Sequence, residues 1–475
     1  MGCLLGASAL VVAPAGVAAA SPPGGRAAPL ATAPATAPRL SAAEARAFSR
    51  NVSQRVIVVL RAQPAAVSHQ AAPRLEATVA GLQRPLIGEL RQTAARNVHS
   101  LTLVDAVAAT VSKGEEAWLR RDPAVARVVP DVLIPMAPLA TMPSSVLSSG
   151  PGRASLGSGV TPPAGACPTG KSVQLNPQAV ELIHAASQSG KGDTAATLGY
   201  TGAGVRVGIV AGGIDVNNPD YIRANGQHVI ADYRDFSNTG TLGNQGSASI
   251  ESFLDASSVA AQGRSVFSLQ KFIGNLSSPC NIRLRGVAPG VTLDIMDVFG
   301  TAPAAYSSTV LQGIDWAVLH DHVNVLNESL GANPYPDNGA YDLTQLADNA
   351  AVARGVTVIS STGDAGPANT IGSPASDPKV ISTGASTAYR LWGQLGFPSV
   401  PGVRETGWVN DNVSALSSGG VMQSGRTLDV VAPGEIGWID CTPVLSRFPA
   451  CTNLAGKPSS LQAVGGTSEA APLTS

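Results

Sequence analysis

A glutamate and an aspartate stand four residues apart in the run Ile250-Glu251-Ser252-Phe253-Leu254-Asp255. On a helix this spacing puts both carboxyls on one face, while Phe253, Leu254 and Val259 can pack on the other. Like charges at this separation weaken a helix slightly, so two ionised groups here have no evident structural use. A shared proton gives them one. Two carboxyls this close do not both ionise readily, and one keeps its proton to higher pH. Such a dyad can accept the proton of a serine hydroxyl while the first carboxyl is ionised, and the second orients it and stabilises the charge. The commoner fate of Glu-x-x-x-Asp is a pair of solvated acids on a helix surface, and the residue types by themselves leave that alternative open.

Cysteine carries the other readable chemistry. Of five cysteines, Cys3 lies in an apolar N-terminal segment, which leaves Cys167, Cys280, Cys441 and Cys451. An even number in an exported chain points to two disulfides. Cys441 and Cys451 are close in sequence and are expected to pair, leaving Cys167 for Cys280. The spacings do not suit zinc and no His clusters beside them, so no metal ligand is assigned.

The elements that must hold these groups alternate between strand and helix from about residue 171. Strand patterns cover Gly204–Ala211, Leu293–Val298, Val323–Leu326, Gly355–Ser360, Val380–Gly384 and Leu428–Val431, with helical spacing over Val310–Leu319 and Leu343–Ala353. That order predicts βαβ units and a parallel sheet, with ligands and catalysts at the carboxyl ends of the strands.

A smaller unit precedes it, over residues 54–136. Arg55–Leu60 reads as a buried strand, Leu75–Val98 as a helix, Leu101–Val111 as strand, Glu115–Arg121 as a short helix and Val128–Asp131 as the lead into a last strand. The β-α-β-β-α-β order fits a small α+β, ferredoxin-like split-βαβ domain. Residues 137–170 are Pro, Gly, Ser and Ala with hardly any charge, the composition of a linker and a natural place for a maturation cut.

Residues 21–53 read as a disordered leader. In front of them, Leu4 to Val17 is apolar and Val17-Ala18-Ala19-Ala20 resembles a small-residue cleavage site, so residues 1–20 read as a secretion signal. A basic n-region is missing, and the alternative is an Ala-rich disordered tail. No later stretch reaches the roughly 18–20 uncharged apolar residues of a membrane helix. A secreted protein, free of the membrane after signal removal, is therefore expected. Hydrophobic residues make up 44% and charged residues 13%, which favours a buried core over disorder. The formal net charge of −1 and 4% aromatics argue against nucleic acid as a partner.

Six segments in order carry a resemblance to a known clan: Gly199-Tyr200-Thr201-Gly202-Ala203-Gly204-Val205, Val287-Ala288-Pro289-Gly290, Glu328-Ser329-Leu330-Gly331, Gly372-Ser373-Pro374-Ala375-Ser376-Asp377-Pro378, Val430-Val431-Ala432-Pro433-Gly434 and Gly465-Gly466-Thr467-Ser468-Glu469-Ala470-Ala471-Pro472. Residues 171–475 resemble the subtilisin and sedolisin clan of serine proteases over nearly their whole length, which implies a parallel sheet with helices on both faces and Ser468 as nucleophile. The unit at 54–136, through Val56–Leu60 and Trp118–Asp131, resembles the propeptide of subtilisin-type proteases, a folding chaperone and intramolecular inhibitor. An unrelated ferredoxin-like domain is the alternative.

The resemblance also has gaps. Subtilisins place a catalytic Asp where this chain has Ala211, and a catalytic His where it has Asp255-Ala256-Ser257-Ser258-Val259-Ala260. None of the six histidines stands in that context. Sedolisins use a Glu followed four residues later by Asp, which Glu251 and Asp255 match, and an oxyanion-site Asp, which Asp364 matches in Ser360-Ser361-Thr362-Gly363-Asp364-Ala365-Gly366. An Asp donates to an oxyanion only when protonated, so both features imply activity at acidic pH. Ser329, Leu330 and Gly331 match the segment that pairs with an extended substrate.

The expectation is a serine-carboxyl endopeptidase: a monomer, made as a zymogen, acting on polypeptides. The resemblance also implies a long helix and further strands after the nucleophile, whereas Ser475 stands seven residues past Ser468. A C-terminally truncated sequence is therefore expected, with much apolar surface uncovered at roughly 25 cal/mol per Å². Sedolisins bind calcium in that later region, so no calcium ligand is named here and no other cofactor is called for. Two further readings stand beside this one: an inactive pseudoprotease acting as a binding module, and a neutral subtilisin with a displaced base such as His228.

Overall fold

A computed structural model describes residues 40–63, 72–136, 140–141, 160–170, 172–237, 247, 249–274, 276–331, 342–396, 410–422 and 425–475. The signal-like segment 1–20 lies outside them, as do most of residues 21–53 and most of the expected linker.

The N-terminal unit is a four-stranded antiparallel sheet. Its elements are β1 (Gln54–Leu60), α2 (Ala72–Gln92), β2 (Arg96–Leu101), β3 (Ala106–Val111), α3 (Lys113–Leu119) and β4 (Val125–Pro130), with sheet order β2-β3-β1-β4. Val56–Leu60 is buried throughout because β1 is central: Ile57 pairs with Ala108 on one side and Val129 on the other. The second element ends earlier than its spacing predicts. Ala94 and Asn97 take left-handed backbone conformations (φ 57° and 50°), which stops the helix and turns Val98 into β2.

Part of the expected disordered leader is ordered. Helix α1 (Ala42–Phe48) starts from a capping box in which the Ser41 hydroxyl accepts from Glu44 N and the Glu44 carboxylate accepts from Ser41 N. Its Phe48 rests on Trp118 of α3, ring centroids 6.2 Å apart.

The larger unit is built on seven parallel strands: β7 (Arg206–Ala211), β8 (Ile230–Asp235), β9 (Thr292–Asp297), β11 (Val325–Glu328), β12 (Thr357–Ser361), β13 (Ile381–Ala385) and β14 (Val430–Ala432), in the order β14-β13-β12-β11-β7-β9-β8. The strand order reverses beside β7, which makes its carboxyl end a switch point.

Helix α4 (Glu251–Ala260) covers one face, burying Phe253, Leu254 and Val259 against Ile209 of β7 and Ile295 of β9. Helix α7 (Thr467–Thr474) lies beside it, with Ala470 and Leu473 against Ala385 and Ala432. Helices α5 (Ser307–Leu319) and α6 (Leu343–Val352) cover the other face through Val310, Ile314, Ala347 and Ala351.

The two units share that last core, because Ile57, Leu75, Leu101 and Leu103 pack into it as well. Asp131 caps α5, accepting from Ser308 N (2.9 Å) and Ser308 Oγ (2.8 Å) while pairing with Arg55. Two short strands extend the contact: β5 (Leu133–Pro135) pairs with β10 (Ala304–Tyr306), and β6 (Ala140–Thr141) pairs with β16 (Leu461–Gly465), whose other neighbour is β15 (Gly437–Asp440). The disulfides join Cys167 to Cys280 and Cys441 to Cys451, the pairing expected from sequence.

Candidate active site

Helix α4 places the acid pair. It is buried along its whole length and opens at Ile250 without a side-chain cap. The Ser249 hydroxyl accepts from Glu251 N (3.1 Å), and the Ser252 hydroxyl donates to the Gly212 carbonyl (2.5 Å), which pins the first turn to the end of β7. Glu251 is 1% exposed and Asp255 0%, so the picture of two solvated surface acids does not hold. Burial pushes both carboxyls well above the ordinary range, and the Asp255 charge adds to the shift on Glu251. The nearby Ser468 hydroxyl opposes the shift on Glu251, although neither Glu251 oxygen has a fully formed hydrogen bond among the described residues. Such bonds are often long in a free enzyme.

Ser468 is the second residue of α7, reached from β16 through Gly466, and is 2% exposed. Gly466 takes φ +118°, and a Cβ there would collide with Oδ2 of Asp364. Only glycine therefore allows the turn before Ser468 and the Asp364 carboxyl to sit so close.

Asp364 follows β12 and is tied to the same turn. Its Oδ1 accepts from Thr467 N (2.8 Å) and Thr467 Oγ1 (2.9 Å), while Thr467 Oγ1 accepts from Gly363 N (2.9 Å). Burial raises the Asp364 pKa and the Thr467 donors work against it. With Oδ1 occupied as an acceptor, a proton on this carboxyl sits on Oδ2, facing Gly466.

The structure brings Ser329 into this group in an unpredicted way. Its hydroxyl donates to Asp255 Oδ1 (2.6 Å) and lies 3.1 Å from the Ser468 carbonyl, so its side chain belongs to the acid pair. Leu330 is buried, and a Cβ on Gly331 would meet the Ser373 carbonyl. Asn327, which sequence reasoning missed, donates from Nδ2 to Ser329 Oγ (3.1 Å) and helps hold the Asp255 pKa down. The available signal was its place two residues before Ser329, on the same side of a strand.

Ala211 ends β7, with Asp297 beside it on β9. Asp297 does not stand in for the missing acid, since it accepts from Tyr233 Oη (2.7 Å) and Gly300 N (2.7 Å). His228 precedes β8, and His320 and His322 precede β11, all at the amino ends of the strands and opposite the carboxyl-end site. The displaced-histidine reading based on His228 therefore fails on geometry. Among the described residues no group of three or more His, Cys, Asp or Glu is arranged to hold a metal ion.

A second buried acid pair was also missed in sequence. Glu328, the last residue of β11, meets Asp348 of α6, and both are fully buried.

Comparison with known proteins places this architecture. The chain is 30% identical over 227 residues to the "Minor extracellular protease Vpr" of Bacillus subtilis (strain 168), covering 46% of this chain and 25% of that protein. It is 27% identical over 262 residues to "Subtilisin NAT" of Bacillus subtilis subsp. natto, covering 54% of this chain and 59% of that one. The chain thus spans less than two thirds of the length of either relative. Fervidolysin from Fervidobacterium pennivorans, described as a keratinolytic enzyme related to subtilisin, superposes with a TM-score of 0.51 at 16% identity, over 89% of this chain and 53% of that one, and supports the fold alone. The subtilase family (Peptidase S8) matches residues 202–475, more than half of the chain and all of the elements that carry the candidate site, and the chain belongs to that family.

Proposed function

We propose that this chain is a secreted serine endopeptidase, made as a zymogen, that forms an acyl-enzyme on Ser468 with the Glu251–Asp255 pair as base. The observation that carries this reading is the burial of both carboxyls beside the equally buried Ser468. A subtilase lacking the usual Asp and His needs another proton acceptor, and this pair is placed to be one. In the first step Ser468 Oγ attacks the peptide carbonyl and its proton passes to the singly protonated pair. The oxyanion forms beside the start of α7, whose first N–H groups have no partner within the helix, and receives a hydrogen bond from protonated Asp364. The pair returns the proton to the leaving amine, and water then releases the acyl group by the reverse sequence.

The zymogen reading draws on the pairing of β5 with β10 and of β6 with β16, the strand that leads to Ser468. The half-buried Asp315 carboxyl of α5 also accepts backbone N–H groups from Thr102 and Leu103 of the N-terminal unit. The maturation cut is expected within residues 137–170, and N-terminal sequencing of the processed protein reads it directly. Among the described residues no helix is long and apolar enough to cross a membrane.

The test is hydrolysis of an unfolded protein from about pH 3 to about pH 8, beside Ser468→Ala and Glu251→Gln. Activity is expected on the acid side, and loss of it in both variants. Full activity in either variant would sink the mechanism. A protein that neither cuts itself nor reacts with an active-serine probe would instead be a pseudoprotease acting as a binding module.

A further inference from the structure

We infer that Ser329 and Asn327 are positioning residues for the acid pair: they hold one oxygen of Asp255 as an acceptor and leave its other oxygen, with the shared proton, to Glu251. The inference rests on the dyad reading above. Ser329 Oγ donates to Asp255 Oδ1 at 2.6 Å and accepts from Asn327 Nδ2 at 3.1 Å. Because the Ser329 hydroxyl spends its proton on Asp255, it can only accept from Asn327, which turns the amide nitrogen toward Ser329 and leaves Asn327 Oδ1 3.1 Å from Ser475 Oγ. All three side chains are buried.

The Ser329 hydroxyl has one proton and two acceptors in reach, since the Ser468 carbonyl lies at 3.1 Å. The nearer, ionisable acceptor wins, because charge-assisted bonds are shorter and stronger. Asp255 Oδ2, by contrast, is buried with no donor among the described residues.

This arrangement sets the polarity of the pair. Neutral donors on Oδ1 favour the ionised form of Asp255, so in the singly protonated pair Asp255 carries the charge and Glu251 the proton. When Ser468 attacks, its proton moves to one oxygen of Glu251 while the proton already on Glu251 moves to Asp255 Oδ2. The pair goes from one proton to two, the Oγ–H bond breaks as the Oγ–C bond forms, and no other group changes protonation.

The test is the pH profile of kcat and kcat/KM for Ser329→Ala, Ser329→Thr and Ser329→Cys, with folding checked by circular dichroism. Without its donor Asp255 is harder to ionise, so the acid limb should move up by about one pH unit and kcat should fall about tenfold, with KM nearly unchanged. Threonine keeps the hydroxyl and should restore the limb. Cysteine, a weak donor of similar size, should shift it part of the way and serves if the alanine variant does not fold. Folded variants with an unmoved acid limb, or with only a raised KM, would overturn the inference and leave Ser329 as part of the substrate strand. If Glu251→Gln is itself fully active, the dyad reading falls. If Glu251→Gln is inactive while the Ser329 variants keep the wild-type limb, this inference falls alone.

Discussion

The end of β11 lies between two buried acid pairs, one on each face of the sheet. Side chains alternate along a strand, so Asn327 and Ser329 point toward α4 and the Glu251–Asp255 pair, whereas Glu328 points the other way to Asp348 on α6. In both pairs burial raises the carboxyl pKa values. What differs is the company. Asp255 receives a hydroxyl donor, and Glu251 faces a serine on a glycine-bounded turn. The four oxygens of Glu328 and Asp348 meet no donor among the described residues beyond a proton passed between the two carboxyls, and the other acids near them are Asp342 and Asp377. Those two are already engaged, Asp342 by Ser373 Oγ and Asp377 by Lys379 N (2.8 Å) and Asn349 Nδ2 (2.5 Å). A buried pair of carboxyls is therefore by itself no sign of catalysis in this fold. A base needs a shared proton together with a nucleophile and a donor set that polarises the pair.

The largest expected contrast follows from this. Glu251→Gln removes the proton acceptor and should lower kcat/KM by about a thousandfold, within the range for loss of a general base. Glu328→Gln, an equally buried change of the same type, should leave kcat/KM within about threefold at acid pH. Equal losses in the two variants would erase the distinction between the pairs.

Asp364 tests the comparison from the oxyanion side. Asp364→Ala should lower kcat by about a hundredfold, because no donor then faces the developing charge. Asp364→Asn should keep a donor at every pH. Wild-type activity should fall as rising pH deprotonates Asp364, whose pKa burial raises; in the Asn variant that alkaline limb should move to higher pH. A pH profile unchanged by Asp364→Asn would show that Asp364 does not donate.

The buried acid pair proposed as the base was legible because Glu251 and Asp255 are neighbours on one helix, and the disulfides because four cysteines allow few pairings. Local spacing also exposed most of the strands and helices, since their apolar periodicity is short-range. The supporting contacts were not legible. Ser329 meets Asp255 across 74 positions, and Asp348 meets Glu328 across a sheet-to-helix packing that no local pattern encodes. The helix at Ala42–Phe48 is a different kind of miss. Its Ser41–Glu44 capping signal is present in the sequence, but the Ala- and Pro-rich residues in front of it have the composition of a disordered leader.

The smallest expected effect is on stability, and it depends on pH in both pairs. An unfolded carboxyl titrates near about 4, whereas Glu328 and Asp348 titrate higher when folded. Between those values the folded protein binds more protons than the unfolded chain, so stability falls as pH rises, by up to about 1.4 kcal/mol per pH unit for each such group. The contribution is fully present below the unfolded value and is lost as pH climbs through the raised one. Asp348→Asn removes one ionisation and gives Glu328 an amide donor. The variant should match wild type near about pH 4 and be more stable by about 1–3 kcal/mol near about pH 8, measured by denaturant unfolding at each pH. Asp255→Asn should flatten the stability curve in the same way but abolish activity. Because both substitutions relieve a buried charge, an Asp348→Asn curve parallel to wild type at every pH would mean that Glu328 and Asp348 do not hold a proton between them, and the parallel between the two faces of β11 would fail.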